Sequence, residues 1–129
     1  MKFIEIPMPG DGNCMFHSIS YGLKISHKEL REKVVKFIIE NPSFKINDTK
    51  LKDWIFWSEN ITYKEYAKKM SKNGIWGGGI ELSIISHIYN VSICVLQNGK
   101  VISKFLKSNK LIFLSYVGNC HYNYLQLKN

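Results

Sequence analysis

At Asn90 the hydrophobic period of the chain changes, and that change narrows the folds open to it. Upstream, apolar residues recur at helical spacing; downstream they come in short β-branched and aromatic runs separated by turn residues. A first helix is expected from Cys14 to Leu23, with Phe16, Ile19, Ser20 and Leu23 on one face. A second carries the stripe Leu30, Val34, Phe37 and Ile38, opened by the capping pair Ser26/Glu29 and stopped by Pro42. Thr62/Glu65 repeats the capping spacing, with Gly74 expected as the C-terminal cap. Leu51 to Ser58 reads as a short helix whose Trp54 and Trp57 go to the core, and Ile80 to Tyr89 as an apolar helix. Then Val91 to Gln97 and Val101 to Phe105 flank Asn98-Gly99, a type I′ hairpin signal. Leu111 to Val117 and Tyr122 to Leu127 complete a sheet of four or five strands, with Phe3 to Ile6 as a further short strand. Helices that precede strands, instead of alternating with them, make the class α+β.

A chain of 129 residues with 45% hydrophobic side chains is read as a single domain, residues 1–129, able to build a core without disulfide staples. Three cysteines cannot all pair within one chain, which favours a reducing, cytoplasmic setting. Glu5 and Pro7 interrupt the apolar stretch near Met1, so no secretory signal is expected. The uncharged run Leu82 to Gly99 carries Ser83, Ser86, His87, Asn90 and Ser92, each of which would need a partner in lipid, so no membrane span is expected. The formal charge is +8, but every basic side chain except Arg31 is lysine. Readers of phosphates and bases recruit the planar guanidinium fork, so the charge is read as a solvated lysine surface and nucleic acid is not expected as a partner. Lysine, isoleucine and asparagine share A/T-rich codons, and a large virus or an intracellular bacterium would be a fitting source; the setting would then be the host cytosol.

The chemistry gathers at the two ends. Pro7, Pro9, Gly10 and Gly12 shape a loop that delivers Cys14 to a helix start, where helix-end N–H groups favour a thiolate. The glycines allow a tight turn whose amides, Gly12, Asn13 and Cys14, can converge on an oxyanion. Taken alone, Cys14 reads equally well as a small buried residue. His121 and Asn123 lie two apart on a strand, so their side chains share a face. The Asn amide oxygen can then accept from the ring, expected at Nδ1–H, and leave Nε2 as the base. An aspartate at position 123 would serve as well or better, being charged. Cys120 and Tyr122 should point the other way, into packing, and Cys94 is a packing residue on a strand. Cys14-x-x-His17 is a possible start of a zinc site, but Cys94, Cys120 and His121 fall in no paired spacing, so neither metal nor cofactor is expected. His27, within the capping box, reads as solvated or core.

Three segments carry a family resemblance. Pro9-Gly10-Asp11-Gly12-Asn13-Cys14-Met15-Phe16-His17-Ser18 resembles the Cys-box of the ovarian tumour (OTU) cysteine proteases. Trp76-Gly77-Gly78-x-Ile80-Glu81-Leu82 resembles their middle motif, and Cys120-His121-Tyr122-Asn123 their His-box. The resemblance implies a papain-like fold, a small central β-sheet flanked by helices. It implies catalysis by Cys14 as nucleophile, His121 as base and Asn123 as orienter, with Asp11 supporting the site. The implied activity is thiol-dependent removal of ubiquitin, by a monomer whose partner is ubiquitin or a polyubiquitin chain. A protease for another ubiquitin-like modifier, and a silent ubiquitin-binding module, are the alternatives. A ubiquitin tail ending in Gly-Gly implies a narrow approach to Cys14. Trp76, Gly77 and Gly78 are candidate walls of it, and core packing is the equal alternative for Trp76.

Overall fold

The computed structural model describes residues 2–118 and 121–128. The order of elements is β1 (Phe3–Ile6), α1 (Cys14–Leu23), α2 (His27–Glu40), β2 (Lys45–Ile46), β3 (Thr49–Lys50), α3 (Leu51–Glu59), α4 (Tyr63–Met70), α5 (Gly79–Tyr89), β4 (Ser92–Gln97), β5 (Lys100–Phe105), β6 (Leu111–Val117) and β7 (His121–Leu127). Five strands form one sheet in the order β1-β7-β6-β4-β5, mixed because β4 and β6 run parallel while the other pairs are antiparallel. The expected α+β class is therefore observed. Cys120, read above as a packing residue, lies outside the described residues.

Most boundaries follow from local chemistry. Ser26 Oγ accepts from the N–H groups of Lys28 and Glu29 at the start of α2. Thr62 and Glu65 close a complete capping box on α4. Asn98 and Gly99, both at positive φ, make the β4–β5 hairpin. Two local features depart from the sequence pattern. A β2–β3 hairpin, turned by Asn47 and Asp48 at positive φ, stands where the apolar periodicity gives no strand signal. Helix α4 ends at Met70 with Ser71 as its C-cap, and Gly74 lies beyond the cap in the loop that follows.

The helices cover one face of the sheet. Phe16 and Ile19 of α1, Leu30, Val34 and Ile38 of α2, Ile55 of α3 and Ile84 and Ile85 of α5 meet Ile93, Ile112 and Leu114 of the sheet there. Each such side chain contributes roughly 1.5–3 kcal/mol relative to exposure. Cys94 and Leu96, alternating with Ile93 and Val95, point to the opposite face and form a smaller cluster with Leu125, Phe3 and Phe113. Cys94 is thus a packing residue, as its strand position predicts. The tryptophans of α3 correct the sequence reading. Leu51 and Ile55 define the buried line of that helix, so Trp54 is only half-buried, its indole N–H donating to the Ile46 carbonyl at 2.8 Å. Trp57, three residues on, is 70% exposed. The spacing of the pair is helical, but its flank is not the core flank. Among the described residues no helix is long and apolar enough to cross a membrane.

Candidate active site

The Cys-box folds as a stapled loop. Asn13 is almost fully buried and caps α1 with its backbone, while its side chain ties three segments together. Its Oδ1 accepts from Arg31 Nη2 at 2.7 Å and from the Gly74 N–H at 2.9 Å, and its Nδ2 donates to Asn73 Oδ1 at 3.1 Å. Arg31 is itself buried, donating from Nη1 to the Met70 carbonyl at 2.9 Å and lying over the Phe16 ring. Burial works against its charge and the nearby Glu81 carboxylate works for it. The one arginine of the chain is therefore a strut behind the loop, a role its place beside Leu30 on α2 does not disclose.

Gly12 shows why the loop needs a glycine. Its φ is +84°, and a Cβ there would sit 2.0 Å from the Gly74 carbonyl oxygen. Gly12→Ala should lower stability by about 2 kcal/mol or more and distort the turn before Cys14. An unchanged urea midpoint with normal Cys14 reactivity would refute that.

Cys14 opens α1 at 6% exposure, and its Sγ accepts from the Tyr122 N–H at 3.4 Å. That contact spans 108 positions and brings the thiol to the strand that carries His121 and Asn123. Tyr122 packs into the helix-side core, as its alternation requires; burial, then Tyr116, pushes its phenol up to about 12. The ring contact of His121 corrects the expected tautomer: Nε2, not Nδ1, lies 2.8 Å from Asn123 Oδ1. Oδ1 also accepts from the Met8 N–H at 2.8 Å, and Asn123 Nδ2 donates to Glu5 Oε2 at 2.7 Å. A backbone N–H can only donate and a carboxylate only accept, so these two partners fix which end of the amide is oxygen. His121 must then donate from Nε2, which leaves Nδ1 as the acceptor nitrogen of the neutral ring.

Asp11 takes a different place from that of an orienter. Its Oδ1 accepts from the Asn13 N–H at 3.1 Å, which holds its carboxyl below its ordinary value, and its Oδ2 lies 3.6 Å from His17 Nε2. It braces the turn. The same bond occupies the Asn13 N–H, which removes it from the expected oxyanion donors and leaves the amides of Gly12 and Cys14.

His17 packs against His27, the rings tilted by 43° with centroids 4.0 Å apart. Among the described residues no three His, Cys, Asp or Glu side chains are placed to hold a metal ion. His27 Nδ1 is buried without a hydrogen-bond partner among the described residues, and desolvation, then His17, lowers its affinity for a proton. The unfolded chain therefore takes up the proton more readily than the fold as pH drops through the ordinary value of 6.5. Stability should fall with acidification over that window, and His27→Gln should flatten part of the fall. Equal pH slopes of the urea midpoint for both proteins would refute this.

The middle motif forms the near wall. Trp76 is 62% exposed, which settles its reading against core packing. With Gly77, Gly78, Gly12, Cys14 and Tyr122 it lines a cavity of about 130 Å³ at the thiol. A Cβ on Gly77 would stand 2.7 Å from Met15 Cε, so the wall lies flush against α1. Glu81, fully buried, holds this wall: its carboxylate accepts from the Gly78 N–H at 2.7 Å and from the Tyr66 hydroxyl at 2.5 Å. Burial raises its carboxyl above the ordinary value, and the Tyr66 bond counteracts that.

A family model described as OTU-like cysteine protease matches residues 9–123, a span that holds Cys14, the middle motif, His121 and Asn123. The chain belongs to this family. Among its relatives, OVARIAN TUMOR DOMAIN-containing deubiquitinating enzyme 10 of Arabidopsis thaliana is 30% identical over 134 residues, covering 97% of this chain and 35% of that protein. Ubiquitin thioesterase OTU1 of Saccharomyces cerevisiae is 35% identical over 127 residues, covering 94% and 38%. The chain thus spans about a third of the length of these OTU relatives. An OTU domain solved in complex with ubiquitin superposes with a TM-score of 0.77 at 32% identity, covering 95% of this chain and 69% of that one. The Hazara virus OTU, solved bound to ubiquitin, shares the fold at a TM-score of 0.76 and 18% identity, covering 98% and 82%.

Proposed function

We propose that this OTU chain is a deubiquitinase that cleaves after the C-terminal glycine of ubiquitin, with residues 1–129 acting as one catalytic unit in a reducing compartment. The observation that carries the reading is the contact of Cys14 Sγ with the Tyr122 N–H, which brings a helix-start thiol to the strand segment on which Asn123 holds the His121 ring. Relatives named deubiquitinating enzymes and thioesterases, and an OTU domain in complex with ubiquitin, support the substrate. His121 Nδ1 takes the Cys14 proton, and the thiolate attacks the glycine carbonyl. The amides of Gly12 and Cys14 receive the oxyanion, each such donor being worth about 3–4 kcal/mol. The imidazolium protonates the leaving lysine amine, and the neutral ring then activates water to clear the thioester. The small cavity bounded by Gly77 and Gly78 suits a tail without side chains.

Ubiquitin carrying a C-terminal electrophile tests the proposal. A covalent adduct on Cys14 is the expected result. No adduct with ubiquitin, beside one with a ubiquitin-like modifier bearing the same electrophile, would overturn the choice of substrate.

A further inference from the structure

We propose that Glu5 is a positioning residue for His121, acting through the Asn123 amide. The proposal rests on the Cys14–His121–Asn123 reading above but not on ubiquitin as the substrate. By sequence alone Glu5 is a charge that interrupts an apolar stretch. Strand register gives it another role. Glu5 pairs with Leu125 across the β1–β7 ladder, so its side chain emerges on the face of Asn123, its diagonal neighbour. Shifting β1 by one residue would turn it to the opposite face.

Two physical effects follow from the 2.7 Å bond between Asn123 Nδ2 and Glu5 Oε2. The first is orientation. An Asn amide can rotate by half a turn and exchange its oxygen and nitrogen. The exchanged form would set Nδ2 against the N–H of Met8 and the N–H of His121, donor against donor. Glu5, an acceptor only, selects the productive form. The second is charge. A neutral amide gives the imidazolium only a dipole, and a carboxylate on its N–H end polarises that dipole toward Oδ1. Glu5 itself is exposed at the sheet edge, so the charge keeps its hydration while its effect reaches His121 through one planar group. The titratable groups of the neighbouring elements are Glu5 on β1, bonded to Asn123, Cys14 on α1, whose Sγ meets the Tyr122 N–H, and Tyr116 on β6 and Tyr122 on β7, whose rings pack together on the helix side of the sheet. Asp11 on the preceding loop is committed to Asn13 and His17.

The test measures alkylation of Cys14 by iodoacetamide against pH, read by mass spectrometry on the Cys14 peptide, together with turnover of a fluorogenic ubiquitin substrate. Wild type should show a plateau bounded by an acidic and an alkaline limb. Glu5→Gln keeps an acceptor for Nδ2 and loses the charge; its plateau should fall about two- to threefold, with the alkaline limb moved to lower pH. Glu5→Ala also frees the amide, and kcat should fall roughly five- to tenfold with KM within about twofold. In an Asn123→Asp background the sign should reverse. There Glu5 faces a second carboxylate, and Glu5→Gln should raise the rate. A purely structural edge residue would not change sign.

Unchanged pH profiles and kcat in both single variants would overturn the proposal, as would equal effects of Glu5→Gln in the wild-type and Asn123→Asp backgrounds. A wild-type profile with one limb only would overturn the Cys–His pair and this proposal with it. Absence of turnover on ubiquitin, beside an alkylation profile that responds to Glu5, would overturn the substrate and support the proposal.

Discussion

Cys14→Ala is expected to abolish turnover of a ubiquitin substrate while leaving the unfolding free energy, measured by urea titration, within about 1 kcal/mol of wild type. The thiol sits at the N-terminus of α1, where it can form the acyl intermediate, and its Sγ accepts from the Tyr122 N–H. Its removal deletes one sulfur from a well-stapled loop, because Asn13 and Arg31 carry the loop's bonds. Cys94, in contrast, fills the small cluster with Leu96 and Leu125, so Cys94→Ser should cost stability more than turnover. Modification of Cys94 by the electrophilic ubiquitin, or residual turnover in Cys14→Ala, would overturn the assignment.

The second large effect is expected at Asn123. Asn123→Ala should lower kcat roughly ten- to a hundredfold, because the ring loses the acceptor that holds its proton on Nε2. The same change strips partners from the Met8 N–H and from Glu5, so a modest loss of stability should accompany it. Asn123→Asp, which the sequence suggests as an equal or better orienter, should instead be impaired. The residue's second end already faces the Glu5 carboxylate, and two carboxylates at that distance repel. Activity of Asn123→Asp at or above wild type would refute this. So would a dead Asp11→Ala beside a normal Asn123→Ala, which would make Asp11 the orienter.

The parts of this OTU fold written into the sequence are those governed by near neighbours. Helix α1 starts at Cys14 because a proline- and glycine-rich loop delivers it there. Asn98-Gly99 turns its hairpin because both residues tolerate positive φ. His121 and Asn123 share a face because strand side chains alternate. Each of those outcomes is decided within a few bonds.

Tertiary structure decided the rest. The contact between Cys14 and Tyr122 joins residues 108 apart, and the bond between Asn123 and Glu5 joins residues 118 apart. Which ring nitrogen of His121 carries the proton depends on Met8 and Glu5, brought to Asn123 from the other end of the chain. Local patterning says that Trp57 and Trp76 are large and apolar, but only the packing of whole elements leaves Trp57 outside the core and sets Trp76 in the lining of the cavity that Cys14 shares. Arg31 reads as one charge among many until Asn13 and Met70 close around it. Periodicity specifies which way a side chain points from its own element; what it meets there is set by register and packing between elements, whose positions no local pattern encodes.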